Sequence, residues 1–176
     1  MLLEGKRIAL LVGPGFEDLE FYVTLMRLRE EGAKTVIVGI NPGEIYSGKG
    51  GLHAKADVDC NSVNSELFDG VVVPGGWAPD KLRRYEAVRR LVREIYQSGK
   101  IVGLICHGGL VGISADIVRG HEATGSLGIK DDLINAGATW RDYPAFRSGN
   151  IVWGRVVDDI PDFCRELVKA LAQTTG

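Results

Sequence analysis

The segment VGLICHGGLVGI, from Val102 to Ile113, sets a cysteine beside a histidine where an apolar run gives way to glycines. A thiol at a sharp strand-to-helix turn is presented outward, as the serine of a nucleophile elbow is. Cys106 is therefore the candidate nucleophile. The start of a helix is expected to shift its thiol toward thiolate. His107 is the candidate general base or acid, or the imidazolium partner of that thiolate. The other two cysteines lack this context: Cys164 falls inside an amphipathic segment and reads as core, and Cys60 as part of a polar loop. His53 and His121 have no such neighbour, and no spacing of His, Cys and carboxylates resembles a zinc site.

Two other segments carry chemistry. PGG supplies Gly75 and Gly76 at a strand end. Glycine there makes a tight turn, or lets a carbonyl approach a backbone N–H. The N–H groups of Gly76 and His107 are the candidate oxyanion donors. The acids Glu17, Asp18, Glu20 and Asp80 sit near helix starts, where carboxylates complement the dipole. One of them against the thiol would instead stay protonated, through burial and nearby negative charge, and hydrogen-bond the sulfur. GPGFED begins like a dinucleotide fingerprint but puts Asp18 at its third glycine, where it would repel a pyrophosphate. SGKGG lacks the first glycine and final Ser/Thr of a P-loop, and the arginines of KLRRYEAVRRLVRE read as a solvated helix face. No cofactor and no metal are expected.

The elements that must position these groups alternate in type. RIALLV, KTVIVGI, DGVVVPGG and KIVGLI are short apolar runs that read as buried strands. DLEFYVTLMRLREEG reads as a helix presenting Leu19, Tyr22, Val23, Leu25, Met26 and Leu28, started by Glu17 or Asp18 and closed at Gly32. Residues 43–59 read as a glycine-rich hairpin excursion. KLRRYEAVRRLVREIYQSG predicts one helix with Tyr85, Val88, Leu91, Val92 and Ile95 inward, and GLVGISADIV a short one. SLGIKDDLINAG predicts a short helix ended by Gly137, and NIVWGR a strand. A final helix follows in DDIPDFCRELVKALAQ, with Asp159 as N-cap and Pro161 in its first turn. Alternation of this kind implies βαβ units and a mostly parallel sheet covered on both faces, with the site outside the carboxyl ends of the strands. GPGFEDLE, PGGWAPD and CHGG all fall at such ends.

The 176 residues suit one domain, 1–176. Hydrophobic residues make up 45% and charged residues 25%, and the net charge of −2 gives no reason to expect a nucleic-acid or membrane partner. No apolar run approaches the roughly 18 residues of a membrane span. The start has no signal-peptide pattern, and three widely spaced cysteines fit a reducing compartment, so a cytoplasmic protein is expected.

The stretches GFEDLE, FDGVVVPGGWAPDKLR, SGKIVGLICHGG, ISADIVRG, GIKDDLINAGATW and DDIPDFCRELVKAL resemble the DJ-1/PfpI family over nearly the whole chain, and most closely its PfpI-like branch of intracellular cysteine peptidases. That resemblance implies a flavodoxin-like three-layer α/β sandwich, related to class I glutamine amidotransferase domains, and a homodimer that in many members assembles further into a hexamer. It makes Cys106 the elbow nucleophile, His107 its partner, Glu20 the buried acid on the sulfur, and Gly76 an oxyanion donor. It also implies that Asp80 reaches His107 of a neighbouring subunit. CHGG stands where CHGP is commoner, and Ser126 where many relatives carry an aromatic residue. Three activities follow as expectations: a peptidase, a glyoxalase or protein deglycase acting on methylglyoxal or its adducts, and a non-catalytic redox-responsive stress protein. The partners would be a peptide or a small carbonyl compound.

Overall fold

The computed structural model describes residues 1–175. The chain runs β1 (Arg7–Leu11), α1 (Asp18–Glu30), β2 (Lys34–Gly39), the hairpin β3 (Ile45–Ser47) and β4 (His53–Lys55), β5 (Val58–Asp59), β6 (Gly70–Val73), α2 (Ala78–Leu82), α3 (Glu86–Gln97), β7 (Ile101–Ile105) and α4 (Gly109–Ser114). Then come β8 (Glu122–Ala123), α5 (Lys130–Asn135), β9 (Thr139–Trp140), β10 (Ala145–Ser148), β11 (Ile151–Gly154) and α6 (Ile160–Gln173). The main sheet has the order β10-β11-β7-β6-β1-β2-β5, parallel except at the β10–β11 edge. This is the α/β sandwich that the alternating pattern implies.

Burial follows from composition. Nearly every residue of β1, β6, β7 and β11 is buried, because both faces are covered and an alternating pattern would strand polar groups inside. Helices α1 and α6 pack together on one face, while α2, α3, α4 and α5 neighbour one another on the other. The chain builds outward from β1 to β2 and β5, then returns to the other side of β1 with β6 and β7. The order therefore reverses beside β1, and the carboxyl ends of β1, β6 and β7 open onto one crevice.

Five expectations need correction. The segment predicted as one helix breaks at 83–85 into α2 and α3. The Arg83 carbonyl accepts from the Arg89 guanidinium at 2.8 Å, and Tyr85 is an extended, exposed N-cap rather than an inward residue. Helix α4 stops at Ser114, because Asp116 adopts a left-handed φ of 58°. In α1 the inward face is Phe21, Thr24, Leu25 and Leu28, whereas Leu19, Val23 and Met26 form an exposed stripe at helical spacing. Asp159 stands at the N-cap of α6, but its carboxylate pairs with Arg155 at 2.9 Å instead of capping the helix. Cys164 is buried as expected. Cys60 lies beyond β5 but is buried too, although its neighbours in sequence are polar. Among the described residues no helix is long and apolar enough to cross a membrane.

Candidate active site

Three loops converge at the crevice. Residues 13–17 leave β1, residues 74–77 leave β6, and Cys106 begins a 3₁₀ turn (Cys106–Gly108) after β7. The first two loops zip together. Phe16 and Gly76 form an antiparallel bridge, the Glu17 N–H donates to the Gly75 carbonyl at 3.0 Å, and the Trp77 N–H donates to the Gly15 carbonyl at 2.8 Å. Gly76 has φ +81°, and a β-carbon there would lie 2.5 Å from both the Glu17 nitrogen and the Gly15 oxygen. Only glycine permits this approach.

Cys106 itself has φ +59°, a left-handed conformation that costs a non-glycine residue about 1–2 kcal/mol. The elbow therefore exists as strained backbone with a half-buried thiol at its apex. The His107 Nδ1 stands 3.4 Å from the sulfur. Glu20, fully buried on the first turn of α1, accepts from the Gly75 N–H at 2.8 Å through Oε1. Its Oε2 has no N–H or O–H partner, and the carboxyl interacts directly with the Cys106 side chain. The N–H groups of His107 and Gly76 are directed at the same cysteine.

Helix α1 is capped by Glu17, whose carboxylate accepts from Leu19 N–H at 2.8 Å and Glu20 N–H at 2.9 Å. Asp18, the other candidate cap, instead crosses to the β3–β4 hairpin, accepting from Gly50 and Leu52 N–H at 3.0 and 2.9 Å. Asp80 is not brought to His107 within the chain: it lies exposed on α2, paired with Arg84 at 2.7 Å. Gly109 has φ −56°, close to the angle a proline imposes, so glycine leaves the first turn of α4 unaltered. Ser126 touches the elbow through its backbone, its N–H donating to the Cys106 carbonyl at 3.2 Å, while its hydroxyl caps the next turn. Among the described residues no cluster of His, Cys, Asp and Glu could hold a metal.

The electrostatics overturn one expectation. Burial, with the Glu20 charge as the second cause, pushes the Cys106 thiol up to about 12 rather than down. The helix that follows is too short for its positive end to outweigh desolvation. Burial likewise pushes the Glu20 carboxyl up to about 7, and holds the His107 ring below its ordinary value, with Lys49 adding to that. The uncharged imidazole is thus able to accept the thiol proton at neutral pH, and Glu20, which is poised near neutrality, can donate to the sulfur in its protonated form as charge develops. The arrangement supports attack by a base-activated thiol rather than by a standing thiolate.

Burial of Glu20 also fixes a stability profile. The folded protein keeps this proton from the ordinary carboxyl value of 4.5 up to about 7, so it binds more protons than the unfolded chain in that interval. The associated stability is complete below the lower value and falls as pH rises through the upper one, by about 3 kcal/mol. Urea midpoints of Glu20→Gln are expected to fall less than those of the native chain between pH 5 and 8. Parallel profiles would refute the shifted carboxyl.

Sequence reasoning missed Gly75 as the donor to Glu20, the tether made by Asp18, and Lys49. The only signal was the glycine-rich SGKGG, which fits a hairpin turn as well as any site.

The DJ-1/PfpI family model matches residues 6–170. The chain is 41% identical to a protein of Pyrococcus horikoshii named as a deglycase, over 94% of this chain and 99% of that one. It is 39% identical to the deglycase PfpI of Pyrococcus furiosus, over the same shares. YraA of Bacillus subtilis, whose name proposes a cysteine protease, is 36% identical over 95% of this chain and 99% of its own. The crystal structure of a two-domain protein with DJ-1/ThiJ/PfpI-like and ferritin-like domains from Anabaena variabilis superposes with a TM-score of 0.92 and 37% identity. It covers 94% of this chain, which spans 48% of that longer protein. Drosophila melanogaster DJ-1β gives a TM-score of 0.89 at 25% identity, covering 96% and 91% of the two chains.

Proposed function

The chain belongs to the DJ-1/PfpI family, and on that premise we propose that it is a cysteine-dependent hydrolase whose Cys106 attacks a carbonyl carbon. The observation that carries this reading is the strained elbow, with the neutral His107 imidazole 3.4 Å from the sulfur and two backbone N–H groups aimed at the same point. The sulfur forms a bond to the carbonyl carbon, the C=O π electrons move to oxygen, and the thiol proton passes to His107 Nδ1. Gly76 and His107 N–H groups meet the oxyanion. In a peptide the C–N bond then breaks, His107 returns the proton to the departing amine, and water cleaves the resulting thioester to release the acid and restore the thiol. In an early glycated adduct, a carbinolamine, the C–N bond breaks first, with the hydroxyl proton passing to the amine, and restores the aldehyde that the sulfur attacks.

Both the peptidase and the deglycase readings fit this attack, and the names of the archaeal relatives favour the second. The redox reading draws less support, since a thiol held neutral oxidises slowly. Release of amine from methylglyoxal-treated N-acetyl-lysine, set against cleavage of labelled peptides, separates the two enzymatic activities. Failure of both would sink the hydrolase reading.

A cytoplasmic location is supported by three free cysteines. A homodimer, extending to a hexamer, is supported by the exposed stripe Leu19, Val23 and Met26 on α1. Asp80 acts in this reading from a neighbouring subunit on His107. Asp80→Asn is then expected to lower turnover about tenfold or more without changing the fold, since an orienting carboxylate is lost. A native chain that sediments as a fully active monomer would remove Asp80 from the site.

A further inference from the structure

The turn between β3 and β4 is fastened to the active-site loop rather than free. Lys49 N–H donates to the Phe16 carbonyl at 2.9 Å, Gly15 N–H donates to the Ser47 carbonyl at 2.9 Å, and the buried Asp18 carboxylate grips Gly50 and Leu52 from the other side. This turn delivers the Lys49 ammonium to the crevice. Its Nζ lies 5.6 Å from the Trp77 ring centroid, a cation–π distance. Trp77 follows the oxyanion glycine directly, lies against Gly15 and is 63% exposed, so it forms a wall beside the site rather than part of the core. The Lys49 charge is felt at both Glu20 and His107.

Among the described residues Lys49 makes no ion pair. The two acids of the loop to which this turn is fastened are already committed, Glu17 to the cap of α1 and Asp18 to the hairpin. A lysine held in place by a fastened turn and an aromatic wall, yet left without a counter-ion, is built for an anion that is not part of the chain. A single ammonium near two carboxylates suits a monoanion better than a phosphate dianion.

We propose that Lys49, steadied by Trp77, anchors a carboxylate on the substrate, so that the preferred carbonyl compound is one bearing a carboxylate close to the reacting carbon. This deepens the reading of Cys106 as the nucleophile and rests on it. Neutral carbonyl compounds would react at the same thiol without that anchor.

The test compares two alkylating reagents that differ in charge, iodoacetate and iodoacetamide, with Cys106 labelling followed by intact mass. Both consume thiolate, so their rate ratio cancels any change in thiol ionisation and reads only the preference for an anion. The iodoacetate-to-iodoacetamide ratio is expected to fall about three- to tenfold in Lys49→Met, and partway in Trp77→Leu, since one charge steers and holds the reagent. Raising the salt should bring the native ratio down to that of the variant. Lys169→Met, on the exposed surface of α6, should leave it unchanged. An unchanged ratio in Lys49→Met overturns the anchor. Failure of the hydrolase reading would show separately, as absent turnover of glycated or peptide substrates by a native chain whose ratio still depends on Lys49.

Discussion

Cys106→Ala is expected to reduce turnover of any carbonyl substrate by at least about a thousandfold while leaving the fold intact. The loss follows because no other thiol can take over: Cys60 and Cys164 are buried, and burial raises both of their pKa values. The fold survives because alanine keeps the β-carbon at φ +59° and removes only the sulfur. Cys106→Gly supplies a second reading of the same site. It should be as inactive, and at least as stable as the alanine variant, because glycine relieves the left-handed strain of about 1–2 kcal/mol. Thermal unfolding and turnover of the two variants together test the elbow. Retained activity in either variant excludes Cys106 as nucleophile. A glycine variant clearly less stable than the alanine one would mean that the strain is not there.

The second large effect is expected at Gly76. An added β-carbon would sit 2.5 Å from backbone atoms of Glu17 and Gly15, and backbone cannot rotate away as a side-chain tip can. Gly76→Ala should therefore separate the loops after β1 and β6, lowering stability by about 3 kcal/mol or more. It should also cost about a hundredfold or more in turnover through the misplaced oxyanion donor. Gly43→Ala is the control, since Gly43 has a similar φ of +69° but nothing within 4 Å of an added β-carbon. It should show only the backbone cost, about 1 kcal/mol, with activity unchanged. Equal urea midpoints for the two variants would mean that the two loops do not approach as described.

The two variants bear on different parts of one device. Cys106 holds its strain because β7 on one side and the 3₁₀ turn on the other fix the chain, with the Ser126 N–H bonded to its carbonyl. Gly76 is held by the bridge to Phe16. The proposed nucleophile and one proposed oxyanion donor thus come from different strand ends, and Glu20 joins them by bonding Gly75 and facing the sulfur.

Much of this is legible in the sequence alone. The buried strands announced themselves as short branched runs, because a parallel sheet covered on both faces tolerates nothing polar. The elbow was legible because a Cys-His pair between a strand and glycines has few other uses, and PGG because a strand end followed by two glycines must turn sharply. The break at 83–85 was not legible. The arginine-rich segment keeps helical spacing throughout, and the break is held by the bond of Arg83 to Ser114 on α4 and by the Arg89 guanidinium on the Arg83 carbonyl.

The direction of the Cys106 shift was also beyond the sequence, and for a general reason. A helix start is a local feature, written in a few consecutive residues, whereas desolvation is the sum of everything packed around the sulfur. The same holds for Lys49. Its turn reads as an ordinary hairpin until Asp18 and Phe16 are seen to hold it, and these contacts span about thirty residues of chain. The sequence by itself determined the strands, the thiol, the imidazole and the glycines, since each is specified by residue type and near-neighbour spacing. The tertiary structure decided which way the thiol titrates and which cation overlooks the site, since those depend on distances between strand ends that only the packed sheet sets.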